Sequence, residues 1–239
     1  MSKPNREWKV LPHGPLVELD SGLFSVVGEI AMPLMNIPRR MTVVRLRDGR
    51  LVIWSAISLD EVNMAALERH GSPAFLVVPS NHHRMDAAAW KARYPAIEVV
   101  TPEGARQKTA EVVPVDTTSP DFGDPDVEFH AVAGTQGEEA ALVVHRPEGT
   151  TLVLNDIIGN IRHPSGFGGW VLRLMGLAGD HAQVPKAVAM LIVKSKEQLG
   201  DQLMQWAAIA DLRRIVVSHG EIIDREPRQV LRELASALK

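Results

Sequence analysis

Three polar clusters in this chain stand directly behind short apolar runs, and each carries side chains that can bind a metal ion or move a proton. Ala74-Phe-Leu-Val-Val78 passes through Pro79 into Ser80-Asn-His-His-Arg-Met-Asp86, Thr151-Leu-Val-Leu154 runs into Asn155-Asp156, and Arg214-Ile-Val-Val217 into Ser218-His219-Gly220. Imidazole nitrogen and carboxylate oxygen are the ligand types that suit zinc, iron or manganese. The residues expected to meet are therefore His82, His83, Asp86, Asp156 and His219, around one such ion, with Asp86 and Asp156 also the candidate catalytic carboxylates. Neighbouring side chains on an extended segment point to opposite sides, so one of His82 and His83 enters the site and the other supports it. The sequence leaves open which.

What must position these groups is a set of strands. In α/β proteins the catalytic groups gather at the carboxyl ends of strands, where exposed loops sit on rigid backbone. Gly22–Gly28, Met41–Leu46 and Leu51–Trp54 read as early strands, the last two joined at Asp48-Gly49. Ser58 to Glu61 reads as a capping box opening a short helix that ends near Gly71. Ala74–Val78 and Ile97–Val100 read as strands around a helix over Ala87–Tyr94. In the second half Val127–Val132, Ala140–His145, Thr151–Leu154 and Arg214–Val217 are the strands, with helices filling the stretch before Leu212 and the end from about Glu226 to Leu238. No short-period repeat or low-complexity linker divides the 239 residues, and one domain over 1–239 is the expectation.

Composition narrows the chemistry. With 45% hydrophobic and 23% charged residues the chain has a globular balance, and it contains no cysteine, which rules out disulfides, thiol nucleophiles and thiolate metal sites. A formal net charge of −3, with scattered Lys and Arg, gives no footprint for nucleic acid. Neither a signal-peptide pattern nor an apolar run long enough for a membrane span is present in the sequence, so a cytoplasmic protein acting on a small-molecule substrate or ligand is expected. The apolar stretch from Gly168 to Leu177 is compatible with a homodimer, and Gly166-Phe-Gly-Gly-Trp170 with a lid or partner surface. His163 and His181 flank that stretch and read as loop residues. The acidic loop from Asp116 to Glu128 lacks regular calcium-loop spacing and reads as solvated. Gly-x-Ser-x-Gly, Walker and strand-linked Gly-x-Gly-x-x-Gly motifs are all absent.

The succession of strands with Pro-Ser-Asn-His-His-Arg-Met-Asp, Leu-Val-Leu-Asn-Asp-Ile-Ile-Gly-Asn and Val-Val-Ser-His-Gly-Glu-Ile resembles the order of landmarks in metallo-β-lactamase-fold proteins, over roughly Gly22 to Leu234. Trp90 and Tyr94-Pro95 behind the paired histidines resemble a divergent, uncharacterised branch of that superfamily. The resemblance implies a four-layer αβ/βα sandwich with metals at the strand ends between two similar halves. Asp156 matches the family's later, metal-bridging aspartate, and His219 its final histidine. The first signature, His-x-His-x-Asp-His, is broken here. If His82 takes its second His position, then Ser80, Arg84 and Met85 stand for the first His, the Asp and the last His; if His82 takes the first, Asp86 keeps the acid and Arg84 and Ala87 replace later histidines. The mid-chain Gly-His-Thr-x-Gly has become Ala133-Gly-Thr-Gln-Gly137, and Ile53-Trp-Ser-Ala56 stands where an early Asp precedes Thr-Gly.

Two functional readings follow. One is a metal-dependent hydrolase with a reduced site, which needs three protein ligands and an open position for water. The other is a binding or structural protein that keeps the fold without metal chemistry, since fold does not guarantee activity.

Overall fold

A computed structural model describes residues 4–32, 35–162, 169, 172–173 and 178–238. Among these residues ten strands form two sheets. The first, in spatial order β1 to β6, contains β1 (Val17–Asp20), β2 (Leu23–Met32), β3 (Met35–Arg45), β4 (Arg50–Trp54), β5 (Ser72–Val77) and β6 (Glu98–Val100). The second runs β10-β9-β8-β7, with β7 (Val127–Ala131), β8 (Ala140–Arg146), β9 (Gly149–Leu154) and β10 (Leu212–Val217). The pairs β4–β5, β5–β6 and β9–β10 are parallel and the others antiparallel. Parallel neighbours need crossovers, usually helical. Here α1 (Glu61–Glu68) joins β4 to β5, α2 (Ala87–Arg93) joins β5 to β6, and α4 (Lys186–Leu191) and α5 (Lys196–Ala207) lie between β9 and β10. A 3₁₀ turn over Glu103–Ala105 leads into α3 (Arg106–Ala110), and α6 (Pro227–Ala237) follows β10.

Side-chain alternation assigns the layers, because successive residues of a strand face opposite sides of its sheet. In β4, Leu51 and Ile53 pack with Met64 and Leu67 of α1 and Trp90 of α2, while Val52 and Trp54 face the other way. In β9, Leu152 and Leu154 pack with Leu199 and Leu203 of α5 and Leu231 of α6, while Val153 faces the other way. The inward sets meet: Val52, Trp54 and Val77 of the first sheet share a core with Leu142, Val153 and Val216 of the second. Helices, sheet, sheet and helices make the expected four-layer αβ/βα sandwich.

Three local readings need correction. The hairpin β2–β3 extends well past the apolar run, pairing residue by residue out to Met32 opposite Met35. Pro38 sits inside β3, which is possible because β4 pairs with β3 only from Thr42 onward, leaving that part of β3 an edge. Helix α1 is not opened by a Ser58 capping box: Asp60 is its N-cap and accepts from the Asn63 N–H at 2.8 Å, while the fully buried Ser58 hydroxyl donates to Asp86. Trp90 is a core side chain, its indole N–H donating to the Ile57 carbonyl at 3.1 Å. Asp124 and Asp126 of the acidic loop are tied to Arg47. His163 and the Gly166 to Trp170 and Gly168 to Leu177 expectations fall wholly or mostly outside the described residues, and His181 is exposed.

Candidate metal centre

The C-terminal ends of β4, β5, β9 and β10 deliver four polar groups to one place. The run after β5 turns at Ser80, whose hydroxyl accepts from the His82 N–H at 3.2 Å, and leaves His82 exposed while His83 turns inward. Asp156 follows β9 and His219 follows β10. His83 Nε2 lies 3.1 Å from Asp156 Oδ1 and 3.1 Å from His219 Nε2, and His219 Nε2 lies 3.2 Å from Asp156 Oδ1. Three ligand-type atoms thus form a nearly equilateral triangle, and among the described residues this is the His/Asp/Glu group close enough to share an ion.

The far nitrogen of each imidazole is fixed. His219 Nδ1 donates to the Pro38 carbonyl at 2.7 Å, which leaves Nε2 of the neutral ring as a lone pair facing the triangle. His83 Nδ1 is 2.7 Å from Ser55 Oγ. Ser55 closes β4 in the left-handed region at φ 53°, held there by its N–H donating to the Val77 carbonyl at 3.1 Å. That conformation is costly for a residue with a Cβ, and strain of this kind persists where surrounding structure over-determines it.

Burial sets the charges. It lowers the His83 pKa, outweighing the attraction of Asp156. Burial also opposes ionisation of Asp156, but the charges and hydrogen bonds of His83 and His219 overcome it and hold the carboxyl well below the usual range. For His219, burial is outweighed by the hydrogen bond and charge of Asp156 and the Pro38 carbonyl, and its pKa rises.

Beneath the triangle lies a group that carries no signature in the sequence. Glu139, fully buried, lies 3.4 Å from the Asp156 N–H and from Asn155 Nδ2, which donates to Ser80 Oγ at 3.1 Å. Burial first, and the Asp156 charge second, raise its pKa well above the usual carboxylate range, and its contacts join the β5 end to the β9 end. In the sequence it is one of two adjacent glutamates after Gly137.

Asp86 does not join the triangle. It is buried, 2.7 Å from Arg39 Nη1 through Oδ2, and Oδ1 accepts from Asn5 at 2.9 Å and Ser58 at 3.2 Å. The expected set of five therefore divides: His83, Asp156 and His219 are brought together, His82 faces solvent, and Asp86 is engaged by a cation of the chain itself.

The same fold is found in solved structures. A metallo-β-lactamase from Hirschia baltica superposes with a TM-score of 0.62 at 13% identity, covering 93% of this chain and 98% of the other. The fold is that of the metallo-β-lactamases. DIM-1 metallo-β-lactamase exposed to ceftazidime gives a TM-score of 0.64 at 10% identity over 97% of this chain and 100% of its own. The mono-zinc form of FIM-1 from Pseudomonas aeruginosa gives 0.62 at 11% over 96% and 97%. No family model and no curated protein matches the sequence. Identities this low make the chain a divergent carrier of the metallo-β-lactamase fold. Among the described residues no helix is long and apolar enough to cross a membrane.

Proposed function

We propose that this protein is a metal-dependent hydrolase with a one-ion His₂Asp centre. The observation that carries the reading is the triangle of His83 Nε2, His219 Nε2 and Asp156 Oδ1, with sides of 3.1 to 3.2 Å. Ligand atoms at the usual zinc distances stand about 3.3 Å apart around a tetrahedron, so the three fit one ion with little movement. Three protein ligands and an open fourth position are the composition of catalytic zinc sites. An ion held there would supply Lewis-acid polarisation and water activation near neutral pH.

The chain's own groups do the rest. Pro38 and Ser55 fix the rotation of the two rings, and the two histidines favour the ionised form of Asp156. Asp86, occupied by Arg39, supplies no further ligand, which supports one ion rather than two.

Elemental analysis of protein purified without chelator, alongside His219→Ala, tests this. The expected result is about one zinc, iron or manganese ion per chain, lost in the variant. Ester, amide, lactone and phosphoester substrates would then be screened for turnover that chelator abolishes. Absence of metal in both proteins, even after incubation with these ions, would defeat the proposal and favour a binding scaffold whose triangle is only a hydrogen-bonded cluster.

A further inference from the structure

Arg39 is buried with its donors unspent. Its side chain is 6% exposed, and Nη1 is close to Asp86 Oδ2. Nε and Nη2 are buried and donate to no group among the described residues, and Asp86 Oδ2 accepts no aligned hydrogen bond. These two nitrogens share one edge of the guanidinium, the edge that meets two oxygens of a carboxylate or phosphate side on. A buried guanidinium with free donors is expensive unless something supplies the missing acceptors.

The position is beside the metal centre. Arg39 follows Pro38, whose carbonyl holds His219, and the Arg39 charge opposes protonation of that histidine. The next residue, Arg40, is also buried, and it has spent its donors on the Val217 and Gly220 carbonyls and the Ser25 hydroxyl rather than on a carboxylate. Arg39 and Arg40 are buried beside the Asp86 and Asp156 carboxylates, and a divalent ion at the triangle would add positive charge to the region. A site of that sign favours an anion.

We propose that the Nε and Nη2 edge of Arg39 receives an oxyanion of the substrate, a carboxylate or phosphate group, beside the bond to be hydrolysed. The proposal rests on the metal-centre reading for the place of that bond, and not for the anion site itself.

Inorganic phosphate and acetate are titrated calorimetrically into zinc-incubated and chelator-treated protein, for the native chain, Arg39→Lys, Arg39→Met and the pair Arg39→Met/Asp86→Asn. The double change removes both charges together and so keeps a folded comparison if Arg39→Met alone is unstable. Phosphate or acetate, whichever binds the native chain more tightly, is expected to bind roughly tenfold or more weakly to the two methionine variants, with a smaller loss for lysine. The preference between the two anions tells phosphoryl from carboxyl substrates. No binding of either to the native chain, or unchanged binding to the double variant, overturns the proposal. So does loss of binding in Arg225→Ala alone, because the anion would then sit in the cleft of about 520 Å³ lined by Leu19, Arg213, Arg214, Ile222, Asp224 and Arg225. If zinc is not taken up but anion binding still depends on Arg39, the anion site stands and the metal reading alone falls.

Discussion

In the proposed centre Ser55 would orient a ligand without being one. A ring that ligates through Nε2 must be oriented through Nδ1, and Ser55 Oγ at 2.7 Å is the group placed to do so for His83. Its backbone carries a strain of about 1–2 kcal/mol that glycine would not. Two substitutions separate these roles. Ser55→Ala loses the hydroxyl and keeps the strain; Ser55→Gly loses the hydroxyl and relieves it. Both are expected to weaken zinc affinity roughly tenfold, as loss of an orienting partner usually does. Ser55→Gly should unfold at higher urea than Ser55→Ala by about 1 kcal/mol. Competition against a chromophoric chelator reads the first effect, and denaturation of metal-free protein the second. Equal affinity in the native chain and Ser55→Ala would mean that His83 is oriented by packing alone.

The elements were legible in proportion to how regular their apolar alternation is. Leu51 to Trp54 and Thr151 to Leu154 alternate between two cores, and both strands stand out in the sequence. The outer half of β2–β3 does not, because Glu29, Asn36, Pro38, Arg39 and Arg40 interrupt it; Asn36 bonds Glu29 at the surface, while Pro38 and Arg40 hold the segment around His219. Hence Pro38 and Arg39 could not be connected to His219 from sequence. Asp156 and His219 were readable because a polar residue behind an apolar run has few other reasons to be there. At His82 and His83 periodicity could place only one inward without saying which, and the turn at Ser80 decides it. The segment after β10 makes a further point. Gly220 lies at φ 103°, and a Cβ there would come within 2.2 Å of the Asn160 carbonyl carbon and oxygen. Asn160 in turn donates its N–H to the His219 carbonyl at 3.0 Å, and its own carbonyl accepts from the Glu221 N–H at 2.9 Å. Gly220→Ala must push these two backbones apart. It is expected to destabilise the fold by about 1–3 kcal/mol and to lower metal occupancy together with it, since His219 rides on the displaced segment. Thermal denaturation and elemental analysis on the same preparation would check it; native metal content in a destabilised variant would show that His219 is anchored through Pro38 alone.

At the scale of the molecule, the centre exists only if two sheets from different parts of the chain stay in register. Ser55 and His83 follow strands of the first sheet, and Asp156 and His219 follow strands of the second. The four-layer order was legible through the resemblance to metallo-β-lactamase-fold proteins, and strands apolar on both faces, which require cover on each side, agree with it. Which polar groups lock one sheet to the other was not, because those contacts join residues far apart in sequence. Arg40 is the clearest lock. From β3 it reaches the Val217 carbonyl at 3.2 Å through Nε and the Gly220 carbonyl at 2.8 Å through Nη2, on either side of His219, while Nη1 donates to Ser25 at 2.7 Å. Burial lowers its pKa, so the charge is costly and is retained through these carbonyl contacts. Arg40→Met keeps much of the side-chain bulk and removes the lock. The expected loss is about 2–4 kcal/mol of stability, because buried carbonyls lose their donors. Zinc affinity should also fall, although no ligand has been touched, because the half carrying His219 is no longer pinned to the half carrying His83. Urea denaturation and chelator competition on the one variant give both numbers. Lower stability with native zinc affinity would mean that packing between the sheets, through Trp54, Val77, Val153 and Val216, is enough to hold the ligands in place.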